Sequence, residues 1–342
     1  MAGMTPRQFR QQNCLIYVGI GFIRVLIGGL ICANFAELNI QFMWTKEKIG
    51  NQAGKTVMVT GANTGIGYET ALAMCQAGAH VVLACRSQAN ADQAKERMGR
   101  EKGGGALETA ILDLGSLAAV KTFAAEFLRD HRRLDILINN AGVMMPPASK
   151  TTDGYELQFG VNFIGHFALT GHLYPLLKAT PGARVVSVSS LAYLRGVIDF
   201  DNLRSEQSYD PMREYCRSKL ANVIMAVELQ RRINAADDDV LAIAAQPGAN
   251  KTELARHMDK DEYAAAVQRV GELMDPWQGA LPSLYAAVSE RAIGGALYGP
   301  DQDGGYRGYP AQAVITANAL DEAVALKLWD LAETITGVRL PG

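Results

Sequence analysis

Apolar and polar residues alternate along most of the chain in two patterns, one typical of buried strands and the other of helices. Short apolar runs predict strands at 55–60, 80–86, 106–114, 134–142, 183–190, 240–248 and 296–298. Longer mixed segments predict helices at 68–77, 87–101, 117–130, 153–178, 209–234, 261–289 and 321–336. This order predicts an α/β fold: a single doubly wound parallel sheet with helices on both faces, over residues 54–342.

The N-terminal segment differs from this pattern. Residues 14–36 are almost wholly apolar, and their length suits a bilayer span of about 20 residues. They predict an apolar helix that acts as a membrane anchor, so residues 1–53 comprise an anchor segment and a connector. Arg24 lies near the middle of the span, where a charge is costly. A cleaved signal or transit peptide, or an apolar helix covering the domain or a dimer interface, are the alternatives.

The overall composition narrows the class of protein further. The chain is 49% hydrophobic and 20% charged, with a formal net charge of −2, which argues against a nucleic-acid-binding surface. Its five cysteines are odd in number and lack paired spacing. They predict neither a metal site nor a disulfide framework, and they favour a reducing compartment for the folded domain.

A glycine-rich turn, TGANTGIG at residues 60–67, joins the first predicted strand to the first predicted helix. Glycines at 61, 65 and 67 allow a tight turn and close approach of a pyrophosphate, and the helix N-terminus offers free N–H groups to that anion. The strand–turn–helix context therefore predicts a dinucleotide site, although a plain glycine turn is the alternative.

The residues after the second strand bear on the choice of cofactor. In dinucleotide-binding folds an acidic residue at this place binds the ribose 2′-hydroxyl of NAD, whereas arginine pairs with the 2′-phosphate of NADP. The chain has Cys85, Arg86 and Ser87 here, which favours NADP(H) over NAD(H) unless Arg86 is a solvated surface residue.

Two polar residues follow later strands. Asp113 ends the third strand and is a candidate to bind the adenine amino group, or else a turn aspartate. Asn140 follows the fourth strand, where its side chain either faces the cofactor or bridges neighbouring strands. Both lie where ligands bind in such sheets, outside the C-terminal ends of the strands.

The candidate catalytic residues lie on two helices and one strand. Tyr215 and Lys219 are four residues apart on a predicted helix and share one face. A nearby ammonium, helped by a nicotinamide cation, lowers the pKa of a phenol from its usual value of about 10, so Tyr215 is predicted to exchange a proton with a substrate oxygen. Lys219 can also bind the nicotinamide ribose.

The other two candidates would support this pair. Ser190, at a strand end, is predicted to hold the substrate oxygen, with Ser189 as the second choice. Asn162 lies within a predicted helix, a poor place for asparagine unless its side chain has a task, here to hold a water that links Lys219 to solvent. His166 and His172 are interpreted as core or helix-surface residues rather than bases.

These motifs occur together in one order, and over residues 54–300 the sequence resembles the short-chain dehydrogenase/reductase family. The resemblance implies a Rossmann-type, NAD(P)-dependent oxidoreductase that acts on CH–OH groups, with Asn162, Ser190, Tyr215 and Lys219 as its catalytic tetrad. It also implies that a segment with Pro247, Gly248 and Thr252 closes over the nicotinamide. The full set of predicted cofactor-binding residues is Gly61, Asn63, Thr64, Gly65, Ile66, Gly67, Arg86, Asp113, Leu114, Asn140, Ala141, Gly142, Tyr215, Lys219, Pro247, Gly248 and Thr252.

Three further features resemble the retinol-dehydrogenase-like branch: the insert between Ser190 and Tyr215, the phrase CRSKLANV, and the segment LYGPDQDGGYRGYP. This resemblance implies NADP preference and an anchor in the endoplasmic reticulum or a similar intracellular membrane. The chain departs from the branch at Arg24, inside the apolar segment, and at Phe163, where the branch often has a polar residue.

The substrate region is predicted at residues 144–147, 191–203 and the stretch after 247. Its apolar members suit a lipophilic alcohol or carbonyl, such as a retinoid, steroid or lipid aldehyde. They are Met144, Met145, Leu191, Tyr193, Val197 and Ile198. The long helices around 155–178 and 209–234 offer apolar faces for a homodimer, unless those faces are buried within the monomer. The rival function is a non-catalytic dinucleotide-binding sensor or scaffold.

Overall fold

The computed structural model describes residues 43–101 and 103–341, which form a sheet of eight strands. The strands are β1 (Thr56–Thr60), β2 (His80–Cys85), β3 (Ala106–Ile111), β4 (Ile136–Asn139), β5 (Ala183–Val188), β6 (Val240–Ala245), β7 (Leu297–Gln302) and β8 (Arg307–Ala313). Their order is β3-β2-β1-β4-β5-β6-β7-β8. Strands β2 and β3 lie on one side of β1, and β4 to β8 lie on the other, so the order of the strands reverses between β1 and β4. Such a switch point forms a ligand crevice at the C-terminal ends of the strands.

Helices connect these strands. They are α1 (Gly65–Gln76), α2 (Gln88–Gly99), α3 (Leu117–Asp130), α4 (Gly165–Lys178), α5 (Pro211–Ala235), α6 (Lys260–Val270), α7 (Pro276–Val288) and α8 (Glu322–Thr336). The Ser116 hydroxyl accepts a hydrogen bond from the Ala119 N–H and caps α3, as expected from its position before the helix.

The core lies on both faces of the sheet, as the continuous apolar strands require. One apolar cluster holds α3, α4, α5 and α8 against the sheet, with Phe163, Phe167 and Trp329 at its centre. The other packs α1 and α7 against the opposite face and includes Leu83 and Ile243. Much of the apolar surface of α4 and α5 is therefore buried within one chain.

Three predicted elements differ in the structure. The predicted parallel sheet ends in an additional strand, β8, which pairs with β7 in the antiparallel direction. The predicted helix at 153–178 begins instead at Leu157 and includes a π-helical turn, Gly160–Ile164, before α4. The predicted helical region 261–289 is two helices, because Gly271 adopts a φ of +83° and Pro276 starts α7.

The connector begins to fold before the first strand. The Trp44 ring packs edge-on against Tyr285, with 5.5 Å between ring centroids, and Ile49 is buried in the core. The predicted membrane segment, 14–36, lies outside the described residues. Among the residues that are described, no helix combines the length and apolar character needed to cross a bilayer.

Candidate active site

The glycine turn has a backbone that other residues would disrupt. Gly61 and Gly65 adopt φ values of +67° and +57°. A Cβ at Gly61 would lie 2.9 Å from the Ala141 Cα, and one at Gly67 would overlap the Asn140 amide and the Gly61 carbonyl. The turn therefore leaves room above the N-terminus of α1 for a pyrophosphate, and its shape fits a dinucleotide.

A cavity of about 620 Å³ extends from this turn along the C-terminal strand ends. Every residue predicted to bind the cofactor lines it, and so does Ser190. Asn162 lies behind the wall: a Cβ at Gly142 would be 3.3 Å from its Oδ1 and 3.6 Å from the Lys219 Nζ. The structure thus brings the predicted cofactor and catalytic residues to one site.

Just after β2, Arg86 lines the cavity, is exposed and makes no hydrogen bond or ion pair with any described residue. Ser87 lines the cavity beside it and caps α2 by accepting a hydrogen bond from the Asn90 N–H. The guanidinium and the α2 N-terminus are both suited to bind an anion.

Asp113 and Asn140 shape the backbone around the cavity. The Asp113 Oδ1 accepts a hydrogen bond from the Gly115 N–H at 2.9 Å, so this carboxylate forms a turn while it lines the cavity. The Asn140 amide donates to the Thr60 carbonyl at 2.8 Å and joins the ends of β1 and β4. Both polar side chains therefore have a structural role at the cavity wall.

Tyr215 is buried and lines the cavity together with Ser190. Burial raises the pKa of its hydroxyl to about 12, and a hydrogen bond with the Ser190 side chain opposes this shift. In the protein alone, burial therefore raises the pKa of Tyr215, in place of the lowering that was expected from Lys219. The hydroxyl remains protonated at neutral pH, as a proton donor requires.

Lys219 lies near this tyrosine without an acidic partner among the described groups. Its Nζ donates to the Val188 carbonyl at 3.1 Å and lies 5.8 Å from the centroid of the Tyr215 ring. Burial lowers the pKa of Lys219 to about 8. The Val188 carbonyl also accepts from the Asn222 amide at 3.0 Å, which leaves it paired when the lysine moves.

The Asn162 side chain is held in place by hydrogen bonds to two other segments. Its amide binds both backbone groups of Val143, with Oδ1 accepting from the N–H at 2.8 Å and Nδ2 donating to the carbonyl at 3.0 Å. Nδ2 also donates to the Ser218 hydroxyl at 3.0 Å. Asn162 thus fixes the loop after β4 to the turn of α5 that carries Lys219. Ser189 is also occupied, since its hydroxyl donates to the Lys219 carbonyl at 2.7 Å.

A buried histidine supports this arrangement from behind. His166 Nδ1 lies 2.9 Å from the Asn162 carbonyl, and its Nε2 lies 2.9 Å from the Thr60 hydroxyl. Thr60 Oγ1 accepts from the N–H groups of Asn140 and Ala141, both at 2.9 Å. These four hydrogen bonds are compatible when Nδ1 carries the proton and the Thr60 hydroxyl donates to Nε2 rather than to the Ile138 carbonyl, which lies 3.3 Å away. His166 is a core residue, as expected, but it connects the cofactor wall to Asn162.

Replacing His166 with glutamine is expected to make the free energy of unfolding less dependent on pH below pH 6.5. Burial lowers the pKa of His166 to about 4, against about 6.5 in an unfolded chain. The unfolded state therefore binds more protons between these values, and stability present above pH 6.5 is lost as pH falls towards 4. The loss is about 3 kcal/mol.

Urea unfolding of both proteins from pH 4.5 to 7.5 measures this effect. His166→Gln should be less stable at pH 7.5, by about 1–3 kcal/mol, because buried hydrogen bonds are lost. Its stability should also fall less steeply with acid. His257→Gln, an exposed control, should keep the steep fall. An unchanged slope in His166→Gln would contradict the assignment.

The apolar wall of the cavity comes mainly from the stretch after residue 247, one of the three segments predicted to form the substrate region, whereas most of the individually named apolar residues lie elsewhere. Of the six apolar residues predicted to contact substrate, Met144 lines the cavity, while Leu191 and Tyr193 line a separate one and Val197 is exposed. The remaining apolar lining comes mainly from α6 and the turn before it. It includes Leu254, Met258, Tyr263, Ala266, Val267, Val270 and Leu273.

The spacing of apolar residues in α6 is a sequence signal for this wall. Residues 263, 266, 267 and 270 follow the spacing of one helix face, yet none of the residues of α6 is fully buried. An apolar helix face that the core does not cover is a feature of a ligand-binding wall.

Comparison with known proteins agrees with the fold and the site. The family model described as short chain dehydrogenase matches residues 55–263. Retinol dehydrogenase 14 of Mus musculus is 40% identical over 302 residues, covering 84% of this chain and 88% of that protein. Human retinol dehydrogenase 11 is 36% identical over 326 residues, covering 95% and 94%.

Solved structures lead to the same class. A crystal structure of an uncharacterized protein from Mycobacterium paratuberculosis superposes with a TM-score of 0.74 and 36% identity, covering 88% of this chain and all of the other. Another, described as an NAD(P)-dependent gluconate 5-dehydrogenase from Beutenbergia cavernae with bound NADP, has a TM-score of 0.59 and 25% identity, covering 72% and 95%.

The fold and the site define an NAD(P)-dependent dehydrogenase that acts on CH–OH groups. The chain belongs to the short-chain dehydrogenase/reductase family and to its retinol-dehydrogenase-like branch.

Proposed function

We propose that this enzyme interconverts an alcohol and a carbonyl on a lipophilic substrate of the retinoid, steroid or lipid-aldehyde class, with NADP(H) as its cofactor. The observation that carries the proposal is the convergence of Ser190, Tyr215 and Lys219 at one end of a cavity whose other end begins at the glycine turn. The apolar residues of α6 line the same cavity and suit a lipophilic substrate.

In this mechanism the nicotinamide cofactor supplies or accepts the hydride when it is bound. The Ser190 and Tyr215 hydroxyls hold the substrate oxygen, and Tyr215 gives its proton to that oxygen as the carbonyl becomes an alcohol. Lys219 stabilises the resulting phenolate and binds the nicotinamide ribose. Asn162 holds the loop after β4 against the helical turn that carries Lys219. The second lone pair of its side-chain Oδ1 can bind the water that returns a proton to Lys219.

A panel of retinal, steroid ketone and fatty-aldehyde substrates, each assayed with NADPH and NADH, tests the proposed function. We expect turnover of at least one lipophilic substrate with NADPH, and much slower turnover of small polar carbonyls such as a ketogluconate. Tight NADPH binding without turnover of any panel member would instead favour the sensor or scaffold function.

The preference for NADP(H) is proposed to depend on Arg86. Two features support this proposal: the Arg86 guanidinium lines the cavity without a partner among the described residues, and the N-terminus of α2 beside it also suits an anion. Arg86→Gln should lower kcat/KM with NADPH by about 10- to 100-fold, the value of a charge-assisted hydrogen bond, and leave kcat/KM with NADH nearly unchanged.

The matched control is Arg100→Gln, which removes an exposed arginine at the opposite end of α2 that pairs with Glu96. It should leave both values unchanged. An unaltered NADPH/NADH ratio in Arg86→Gln would show that another group sets the preference.

We also propose that residues 14–36 anchor the enzyme in an intracellular membrane, with the catalytic domain formed by residues 54–342. The apolar length of the segment and the lipophilic substrate class support this arrangement. Carbonate extraction of membranes that contain the full-length protein tests it, and release into the supernatant would count against insertion.

A further inference from the structure

Three titratable side chains meet at the end of the sheet opposite the active site. His80 begins β2, Glu108 lies on the neighbouring edge strand β3, and His131 follows the last residue of α3. Both histidine Nε2 atoms approach the same carboxylate oxygen of Glu108, at 3.0 Å from His80 and 3.1 Å from His131. The cavity does not include any of the three residues, so the proposed oxidoreductase function leaves the cluster unexplained.

The spacing of these atoms fits a bound transition-metal ion. Zinc bonds to histidine nitrogen and carboxylate oxygen at about 2.0–2.2 Å, which puts two tetrahedral ligands about 3.3 Å apart. The two nitrogen–oxygen separations of 3.0 and 3.1 Å are close to this value. One ligand atom from each residue lies within 4.8 Å of the others, so the three can face one ion with small side-chain rotations.

The second nitrogen of His131 supports the same conclusion. His131 Nδ1 lies 3.2 Å from the Phe127 carbonyl, which can only accept, so Nδ1 carries a proton. In the neutral ring, Nε2 then presents a lone pair to the Glu108 carboxylate, and two acceptors face each other. A cation between them removes this conflict. Donation from the far ring nitrogen to a backbone carbonyl is also the usual way in which proteins orient a metal-binding histidine.

The rings are held in place before an ion binds. The His131 ring stacks on Phe127 with 4.0 Å between centroids and an interplanar angle of 9°. His80 and His131 are also stacked, at 5.9 Å and 23°. All three side chains are partly accessible, so an ion can enter without opening the core.

We propose that His80, Glu108 and His131 form a zinc site. Two imidazoles and a carboxylate are a ligand set that Zn²⁺ prefers, and a water would complete the fourth position. The ion would connect β2, the edge strand β3 and the end of α3, and thereby stabilise the edge of the sheet without contact with the reacting groups.

Zinc titration of the full-length protein, stripped with EDTA and followed by calorimetry, tests the proposal. We expect one equivalent of Zn²⁺ to bind, and Co²⁺ to give a visible absorption band that Zn²⁺ abolishes. Zinc at a hundredfold excess over its dissociation constant should raise the melting temperature by about 3–5 °C. His131→Gln and the nearly isosteric Glu108→Gln should each weaken binding by at least about 100-fold.

His257→Gln, which removes an exposed histidine outside the cluster, should bind zinc as the parent protein does. Equal affinity in the parent protein, His131→Gln and Glu108→Gln would overturn the proposal, as would the absence of stoichiometric binding. In that case a protonated histidine, paired with Glu108, accounts for the cluster. If His131→Gln does not fold, Glu108→Gln alone decides, since it retains the shape of the side chain.

Discussion

Replacing Tyr215 with phenylalanine is expected to reduce kcat/KM for carbonyl reduction by about 10³-fold, within the range that general acid catalysis contributes. The variant keeps the ring, which is buried, and loses the hydroxyl that interacts with Ser190. Substrate and NADPH affinity should change little, because the hydroxyl acts mainly on the oxygen that develops charge. Steady-state kinetics together with NADPH fluorescence titration separates these two effects.

Tyr174→Phe is the matched control for this experiment. Tyr174 is as buried as Tyr215, and its hydroxyl donates to Asp238 at 2.8 Å, away from the cavity. Loss of this hydrogen bond should cost about 1 kcal/mol of stability and leave kcat unchanged. Full NADPH consumption by Tyr215→Phe, with Tyr174→Phe behaving as expected, would eliminate the proposed proton donor.

Lys219→Met is expected to lower the activity of the enzyme and to raise the stability of the protein without cofactor. Activity should fall by about 10²- to 10³-fold because the phenolate and the ribose lose their ammonium partner. The protein without cofactor, however, should become more stable at pH 7, by about 1–3 kcal/mol. Burial lowers the pKa of Lys219 to about 8 from 10.5, so a buried ammonium opposes folding while it is charged. Methionine has a similar length and carries no charge.

The pH dependence provides the sharper test of this second prediction. Below pH 8 the lysine is charged in both the folded and unfolded states, so the penalty is fully present. As pH rises from 8 to 10.5 the folded protein loses its proton first, and the stability advantage of Lys219→Met should disappear. Lys121→Met, an exposed control, should show no advantage at any pH. A less stable Lys219→Met at pH 7 would show that the ammonium has an unrecognised partner.

Both predictions depend on buried polar groups that lower the stability of the protein but serve the proposed reaction. A buried lysine without an acidic partner and a buried phenol are unfavourable for stability, but each is in the protonation state that the reaction requires. The hydrogen bonds of Asn162 and His166 hold the surrounding backbone in place, and this rigidity keeps the lysine and the phenol buried.

The predicted site residues that the structure brings to one cavity share a short-range sequence signal. The glycine turn, Arg86, Ser190 and the Tyr215–Lys219 pair follow from strand ends and helical spacing, and the structure gathers them at one cavity. Asn162 was identified by its unusual position in a helix. Its partners were not, because Val143 and Ser218 are 19 and 56 residues away, and the π-helical turn that presents the amide has no local signature.

Strand β8, which was not predicted, and the apolar face of α6 over the cavity both depend on long-range packing. Strand β8 contains Gly308 and Pro310 and lacks apolar alternation, so its pairing with β7 is favoured by the neighbouring strand rather than by its own pattern. Helix α6 has an apolar face, but only the position of the helix over the cavity gives that face a function.

The sequence by itself determined the alternation of the first seven strands with helices, the glycine-rich turn and the family of the enzyme, because each depends on residues that are close in the chain. Only the tertiary structure decided which apolar residues line the cavity and how Asn162 supports Lys219. It also decided that His80 and His131 approach the same carboxylate oxygen of Glu108. These contacts join segments that are distant in sequence, and no periodicity within a single segment encodes the register between two of them.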